Sequence, residues 1–297
     1  EDQIDDMLLE CKACHKPLTN AKNKAIVPSF GFVAESNFKP AGTKRPERSS
    51  RTEVSYVGHQ TNINYQTLNI KNGEIKLGYS ERDKLAILNR ENFYVCDYCG
   101  YSEVKDNYYG NSSQKNHVNA FGAKCNSTVL KKYTLGYLFE TDVLHVSFTR
   151  PDIVNKEEAR SILYGLLEGI SHTLNIERQD INGALSYHYN DVTQRNNYDF
   201  VIFDNTPGGS GYVRQLNNVK LLESVIENTL RLMESCTCGG PEMDTSCYSC
   251  LRNYYNQKYH DQLQRRYVIH FIRKIYDPQF TPETINEETP WAKIKRL

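Results

Sequence analysis

Alternating and continuous apolar runs predict two strands in the second half of the chain. Over residues 144–148 apolar side chains alternate with a histidine and a serine, as in a strand with one face exposed to water, and Pro151 ends the run. Residues 200–203 form a continuous apolar run between two aspartates, too short for a helix and typical of a strand covered on both faces. We expect this second strand to be central in its sheet.

Two other stretches carry apolar residues at helical spacing. The first follows Asn155, which lies three residues before Glu158 in an arrangement that resembles a capping box. The apolar stripes comprise Ala159, Ile162, Leu163, Leu166, Leu167 and Ile170 in the first helix and Leu222, Val225, Ile226, Leu230 and Met233 in the second. The succession of strand, helix, strand and helix predicts a layered α/β unit over residues 131–297.

The first part of the chain, residues 1–130, has a different character. From residue 11 onward it carries turn residues, many Tyr and Asn, and short alternating stretches such as residues 63–68, which predict small β-strands joined by loops. Residues 39–48 are polar and interrupted by proline, so we expect a loop or an arm there. The sequence thus predicts a mixed fold, α+β or α/β, with a β-rich N-terminal part.

Charge and hydropathy exclude some classes of protein. Lys plus Arg equals Asp plus Glu at 36 each in 297 residues, so any binding of nucleic acid must come from a local patch. No run of eighteen apolar residues exists that could span a membrane, and residues 1–6 are acidic where a signal peptide would be positive. We expect a cytoplasmic protein with no membrane partner.

The strongest chemical signal is a set of four cysteines, Cys236-x-Cys238 followed by Cys247-x-x-Cys250. Four thiolates brought together by two tight turns satisfy tetrahedral Zn²⁺ without another ligand, and the closed set leaves no position for water or substrate. The alternative is four unrelated thiols or two disulfides. The sequence therefore predicts a structural zinc site, with no catalytic role for the metal.

A second set joins Cys11-x-x-Cys14 with Cys96-x-x-Cys99, as in a zinc ribbon with a long insertion between its halves. Gly100 fits the positive φ that such a turn requires. His117 and Cys125 could replace the first pair as partners of the second. The four-cysteine combination is favoured, and two zinc ions are expected in all.

The Gly-rich turn over residues 207–211 lies between a predicted buried strand and a helix, where backbone N–H groups can hold an anion. A phosphate of DNA or RNA on Gly208 and Gly209 is one interpretation, and close packing of helix against strand is the other. The Gly-x-x-x-x-Gly-Lys-[Ser/Thr] motif and an acidic Walker B strand are absent from the sequence. We therefore expect no ATP hydrolysis by this chain alone.

Residues 251–274 combine six Lys or Arg residues with a single acidic residue and four interleaved tyrosines. Such a segment could follow a phosphate backbone and stack on exposed bases. The candidate nucleic-acid contacts are Arg252, Lys258, Arg265 and Arg266. The competing interpretation is an amphipathic helix whose tyrosines and aliphatic residues face the core.

The evidence for catalysis is weaker. His188, Asp191, Asp199 and Asp204 are near one another in sequence, and a metal-dependent nuclease could be built from such groups. Acidic residues at strand ends are more often caps or solvated flanks, so no catalytic residue is assigned.

The order of these features resembles the MrfA-type zinc-binding domain found at the C-terminus of bacterial DEAD/DEAH-box superfamily 2 helicases. The resemblance rests on residues 135–142, 198–204 and 207–212 together with the cysteine set that ends in Cys250-Leu-Arg-Asn253. It covers residues 130–275, and Ser246 stands where the family often has glycine.

This resemblance implies Cys236, Cys238, Cys247 and Cys250 as zinc ligands and a role in DNA repair or antiphage defence. It implies an accessory region that braces a helicase motor or contacts DNA, with the ATPase lobes in cis or in trans. A protein-interaction module that assembles a repair or defence complex is the alternative.

Overall fold

The structure is a computed structural model, and it describes residues 24–27, 52–58, 63–89, 93–104, 112–190 and 194–282. The chain divides into two compact units. The first unit comprises residues 1–60 and 83–140, and the second comprises residues 61–82 and 141–297. Each unit is thus built from two separate stretches of the sequence. The sequence pattern predicts a single boundary, after residue 130.

Ten strands and four α-helices are present in the described residues. The strands are β1 (Lys24–Ile26), β2 (Thr52–Gly58), β3 (Tyr65–Ile70), β4 (Gly73–Asn89), β5 (Phe93–Val95), β6 (Ser102–Val104), β7 (Ser112–Gln114), β8 (Val129–Arg150), β9 (Ile181–Asn190) and β10 (Arg195–Asp204). The helices are α1 (Lys156–Leu174), α2 (Tyr212–Gln215), α3 (Val219–Ser235) and α4 (Arg265–Tyr276). Short 3-10 helices are formed by Arg178–Asp180, Gly240–Glu242 and Tyr254–Tyr259.

The sheet of the second unit is antiparallel around β10. This strand pairs with β8 on one side, where Phe200 lies opposite Val146, and with β9 on the other. Residues 200–203 of β10 are buried on both faces, as their continuous apolar run predicts. The antiparallel pairing makes the fold α+β, the first of the two expected classes.

Helices α1, α3 and α4 bury their apolar faces in the same core as this sheet. The N-cap of α1 is Asn155, whose side chain accepts the N–H groups of Glu157 at 2.8 Å and Glu158 at 3.1 Å. Phe148 of β8 meets Phe200 and Phe271 in edge-to-face contacts with ring centroids 5.9 and 4.9 Å apart. These contacts connect the sheet to α4, because Phe271 lies on that helix.

The first unit is built from short strands around part of β8. Both β5 and β7 pair antiparallel with it, β1 pairs parallel, and β5 and β6 form a hairpin. Its small core contains Tyr94, Cys96, Cys125 and Leu130. Small strands joined by loops are what the sequence predicts for residues 11–130, but β4 in that stretch is longer than predicted, with 17 residues. Across the described residues of both units, no helix has the length and apolar character needed to cross a membrane.

Candidate metal centres

The four cysteines of the second unit meet where α3 ends. Cys236 caps this helix, and a turn with Gly239 and Gly240 at φ of 74° and 52° returns the chain toward the second cysteine pair. The sulfur atoms lie 3.4 Å apart for Cys236 and Cys238 and 3.9 Å apart for Cys247 and Cys250. We call this cluster the four-cysteine site.

These separations test what the cluster can hold. Two disulfides would need sulfur atoms about 2.05 Å apart, and all four cysteines are free. Ligands about 2.3 Å from a tetrahedral Zn²⁺ are about 3.8 Å from one another. The two remaining measured contacts, Cys236 to Cys247 at 3.6 Å and Cys238 to Cys250 at 3.7 Å, are close to that distance. The four-cysteine site therefore fits a zinc ion.

The surroundings of the four sulfur atoms favour negative charge on that of Cys247. The N–H of Ser249 donates to the sulfur of Cys247 at 3.4 Å. Burial opposes ionisation of Cys247, but this N–H group and the neighbouring thiols lower its pKa to about 7. Burial raises the pKa of Cys250 and of Cys238. Four adjacent thiols cannot all ionise without a compensating cation, and a divalent metal provides that charge.

A second cluster lies in the first unit and comprises Cys96, Cys99, His117 and Cys125. The ligand atoms of all four residues lie within 4.8 Å of one another. The Cys99 sulfur is 3.2 Å from Nε2 of His117, and the Cys96 and Cys125 sulfurs are 3.9 Å apart. Three thiolates and one imidazole are a common structural zinc set. We call this cluster the histidine-containing site.

The orientation of His117 suits a metal ligand. Its Nδ1 lies 2.9 Å from the carbonyl oxygen of Lys115, and an Nδ1–H donor there leaves Nε2 to face the three sulfur atoms. The ring also stacks on Tyr101 with centroids 4.7 Å apart. Gly100 adopts a φ of 76°, and its N–H donates to the carbonyl of Cys96 at 2.9 Å, which closes the turn as predicted.

The structure thus assembles the combination with His117 and Cys125. The favoured partners of the sequence analysis, Cys11 and Cys14, lie outside the described residues. The four donors of the histidine-containing site complete a tetrahedral set without them. Spacing along the chain could not select between the two combinations, because either one offers four suitable donors.

Two of the predicted nucleic-acid contacts, the buried Arg265 and the partly exposed Arg252, form hydrogen bonds beside the four-cysteine site. Arg265 is 4% exposed, and its guanidinium donates to the carbonyl oxygens of Met233 at 2.8 Å and Cys238 at 2.9 Å. Arg252 donates to Oγ of Ser246 at 3.1 Å. Arg265 therefore holds the backbone around the sulfur atoms, and its burial is at odds with the expected contact to phosphate. The contact of the partly exposed Arg252 with phosphate stays a prediction. Ser246, which stands where the family often has glycine, thus supplies a hydroxyl that accepts this hydrogen bond from Arg252.

The Gly-rich turn holds an anion that the chain itself supplies. The buried carboxylate of Asp204 accepts N–H groups from four consecutive residues, Ser210, Gly211, Tyr212 and Val213, at 2.6 to 3.2 Å. A Cβ at Gly209 would lie 2.6 Å from the carboxyl carbon of Asp142, so a second acid also packs on this turn. Asp204 therefore occupies the N–H groups of residues 210–213, and the close approach of Asp142 supports the packing interpretation for Gly209. Phosphate binding at Gly208 and Gly209 stays a prediction.

The basic segment is divided between core and surface. Its helix is limited to α4, where Val268, Ile269 and Ile272 are buried. Tyr259 is buried too, with the Arg160 guanidinium 4.1 Å from its ring centroid. Tyr254 and Tyr255 are exposed, Lys258 and Arg266 are partly exposed, and Arg273 and Lys274 at the end of α4 are exposed. The first four of these residues, together with the exposed Tyr248 between the last two cysteines, are called the tyrosine segment.

Among the described residues, the two carboxylates considered for a nuclease, Asp199 and Asp204, do not face the same side of the sheet. Asp199 and Asp204 are five residues apart on β10, so strand alternation places them on opposite faces. The carboxylate of Asp204 is occupied by the Gly-rich turn. Asp191 lies outside the described residues, and so does the side chain of His188.

Comparison with known proteins agrees with this geometry. Residues 162–251 match the sequence model of the MrfA Zn-binding domain, so the chain contains an MrfA-type zinc-binding domain, and the four-cysteine site lies within it. Over 303 aligned residues the chain is 21% identical to the Druantia protein DruE of Escherichia coli (strain UMEA 4076-1). That alignment covers 89% of the chain and 16% of DruE, so the chain spans about a sixth of that protein's length.

Two crystal structures of the DUF1998 helicase MrfA resemble the chain more distantly. The structure bound to DNA gives a TM-score of 0.39 at 11% identity and covers 77% of this chain and 26% of that one. The structure bound to DNA and AMPPNP gives a TM-score of 0.32 at 10% identity, and the match covers 76% of this chain and 23% of that one. The similarity to the MrfA Zn-binding domain rests on the sequence match over residues 162–251.

Proposed function

We propose that the chain is a zinc-stabilised accessory region of a DNA helicase and that it contacts DNA beside the four-cysteine site. The ATPase lobes would lie elsewhere in the same polypeptide or on a partner, so the region would not be an enzyme by itself. The observation that carries this proposal is the four-thiolate cluster within a segment that matches the MrfA Zn-binding domain. A closed four-thiolate set supports structure, not catalysis.

The tyrosine segment is the surface that suits DNA. Tyr248 lies between two of the cysteines and is 67% exposed, and Tyr255 is 58% exposed beside Tyr254. Stacking of bases on such rings tolerates any sequence, and Lys258 and Arg266 can neutralise phosphates. The metal would hold this surface in place, because the knuckle that carries Tyr248 begins and ends in zinc ligands.

The zinc sites would also brace the region mechanically. In the four-cysteine site the metal would join the end of α3 to the segment that precedes α4. Arg265 holds backbone carbonyls beside it, and Arg252 donates to the Ser246 hydroxyl. Free thiolate ligands require a reducing compartment, which supports the expected cytoplasmic location. The similarity to a Druantia protein supports antiphage defence as the setting, with DNA repair as the alternative.

Salt-dependent binding of labelled single-stranded DNA, measured by fluorescence anisotropy on the zinc-loaded chain, tests the proposal. Binding should weaken linearly on a logarithmic scale of salt, because each neutralised phosphate releases counterions. Replacing Lys258 with alanine should reduce the slope by about one, whereas replacing the exposed Arg231 on α3 should not. A chain that binds neither DNA nor RNA at low salt would favour the protein-interaction alternative.

A further inference from the structure

A short loop of the first unit begins and ends in metal-ligand candidates. His117 and Cys125 belong to the histidine-containing site, and between them the chain makes a narrow hairpin that we call the 117–125 loop. The N–H of Cys125 donates to the carbonyl of His117 at 3.1 Å, and the N–H of Asn119 donates to the carbonyl of Ala123 at 2.8 Å. A bound metal would therefore fix both ends of the loop.

The tip of this loop is also held by its own hydrogen bonds. The side chain of Asn119 accepts the N–H groups of Phe121 and Ala123, each at 3.0 Å. Gly122 turns the chain at a φ of 84°, and its N–H donates to the carbonyl of Asn119 at 3.0 Å. The backbone at the tip thus has one defined conformation.

This ordered tip holds an aromatic ring in solvent. Phe121 is 95% exposed, although burial of phenylalanine is favourable and the core of the first unit is close in sequence. A flexible loop could fold its ring onto the surface, but the hydrogen bonds of residues 121–123 hold the backbone in a conformation that leaves Phe121 exposed. An aromatic side chain fixed in the exposed position suits a ligand that offers a flat apolar face.

The positive charge near the 117–125 loop indicates which kind of ligand Phe121 would contact. Residues 112–132 contain four lysines and no acidic residue, and Lys124 lies exposed on the loop itself. Glu103 pairs with Lys115 and Asp97 pairs with Lys131, so part of this charge is compensated inside the unit. A stable protein interface needs about 800 Å² from each partner, which Phe121 and the half-exposed Val118 of one narrow hairpin do not provide. One nucleobase matches one ring.

We infer that Phe121 stacks on an unpaired base of single-stranded nucleic acid, with Lys124 facing the adjacent phosphate. This inference rests on the proposed function, because it takes nucleic acid as the ligand, but it concerns a different unit from the tyrosine segment. The histidine-containing site then has a defined role: its metal keeps the two ends of the 117–125 loop together and so presents the ring.

The test compares Phe121→Leu with Phe121→Tyr in the zinc-loaded full chain. Leucine keeps apolar bulk without a π-face, and tyrosine keeps the π-face, while the 95% exposure of the ring means that neither change disturbs the core. The probe is a fluorescein-labelled single-stranded oligonucleotide of mixed sequence. We expect Phe121→Leu to weaken its binding by about 5- to 150-fold, the range of stacking on one base, and Phe121→Tyr to bind within about twofold of the original chain.

A direct readout comes from Phe121→Trp in a chain whose single tryptophan, Trp291, is replaced by phenylalanine. Stacking should quench the fluorescence of this tryptophan as the unlabelled oligonucleotide is added. An unquenched tryptophan in a complex that has formed, or equal binding by Phe121→Leu, would overturn the inference and leave Phe121 as a docking residue for a protein.

The failure of this inference is distinguishable from failure of the proposed function. If Phe121→Leu binds normally while the double change Tyr254→Ala and Tyr255→Ala weakens binding, only the role of the 117–125 loop is wrong. If the original chain binds no nucleic acid, both proposals are wrong.

Discussion

Gly169 of α1 lies directly against Thr229 of α3, and a residue with a side chain does not fit at position 169. A Cβ at Gly169 would lie 1.9 Å from Oγ1 of Thr229 and 3.0 Å from the carbonyl oxygen of Val225. The Thr229 hydroxyl donates to that same carbonyl at 2.7 Å, so it cannot move away without losing its partner. The close approach of the two helices therefore depends on the absence of a side chain.

Replacing Gly169 with alanine should destabilise the protein even though alanine favours helix by about 1 kcal/mol. The collision with Thr229 has the larger effect, and we expect a net loss of about 1–3 kcal/mol. Urea denaturation of the zinc-loaded chain measures it. In the double variant with Thr229→Ala, part of the loss should return, because the closest atom is removed; a strictly additive double variant would show that the two residues do not interact.

Replacing Asp204 with asparagine should be more damaging than its small change in size suggests. One carboxylate satisfies four backbone N–H groups, and an amide has a single acceptor oxygen and no charge. We expect a loss of about 2–4 kcal/mol, measured by thermal or urea denaturation. The exposed Asp261→Asn serves as the matched control and should change the free energy of unfolding by less than about 0.5 kcal/mol.

Alanine substitutions of the two adjacent arginines at the start of α4 should affect different properties: stability for Arg265 and DNA binding for Arg266. Alanine at position 265 removes the donors to Met233 and Cys238, so it should destabilise the protein by about 2 kcal/mol or more and weaken zinc retention. Alanine at position 266 should leave stability within about 0.5 kcal/mol and reduce DNA binding. Denaturation with and without a chelator, combined with DNA anisotropy, separates the two effects. Equal effects of both variants on DNA binding alone would contradict the structural role of Arg265.

Elemental analysis of purified protein should find two zinc ions per chain. Cys247→Ser and Cys125→Ser should each lower the content to one, since each removes a ligand from a different site. Cys11→Ser is the informative comparison. It should keep both ions if the histidine-containing site is complete as the structure shows it, and loss of an ion in that variant would restore the ribbon interpretation.

Much of the second unit could be predicted from local pattern. Helical spacing located α1 and α3, and the continuous apolar run located β10. Strand β8 was predicted over only five of its 22 residues, because charged residues such as Lys131, Glu140 and Asp142 interrupt its alternation. Strand β9 carries too many polar residues to show a clear alternation of apolar and polar positions. It is recognisable as a strand only from its pairing with β10.

The candidate site was predictable in its residue types and not in all of its contacts. Cysteine spacing sufficed for the four-cysteine site, because both pairs lie close together along the chain. The partners of Cys96 and Cys99 depend on which distant segment folds against them, and sequence offers two choices. An arginine in a basic segment gives no sign of burial, so the carbonyl partners of Arg265 emerge only from the fold.

The carboxylate in the Gly-rich turn bears on how relatives of this chain should be recognised. The sequence pattern is an aspartate at the end of a strand, then five residues, then Ser-Gly and the start of a helix. In this turn the aspartate accepts the backbone N–H groups. In this chain the pattern records how a strand and a helix are joined, because the aspartate supplies the acceptor that the turn needs. Read from sequence alone, the same glycines would suggest a nucleotide site.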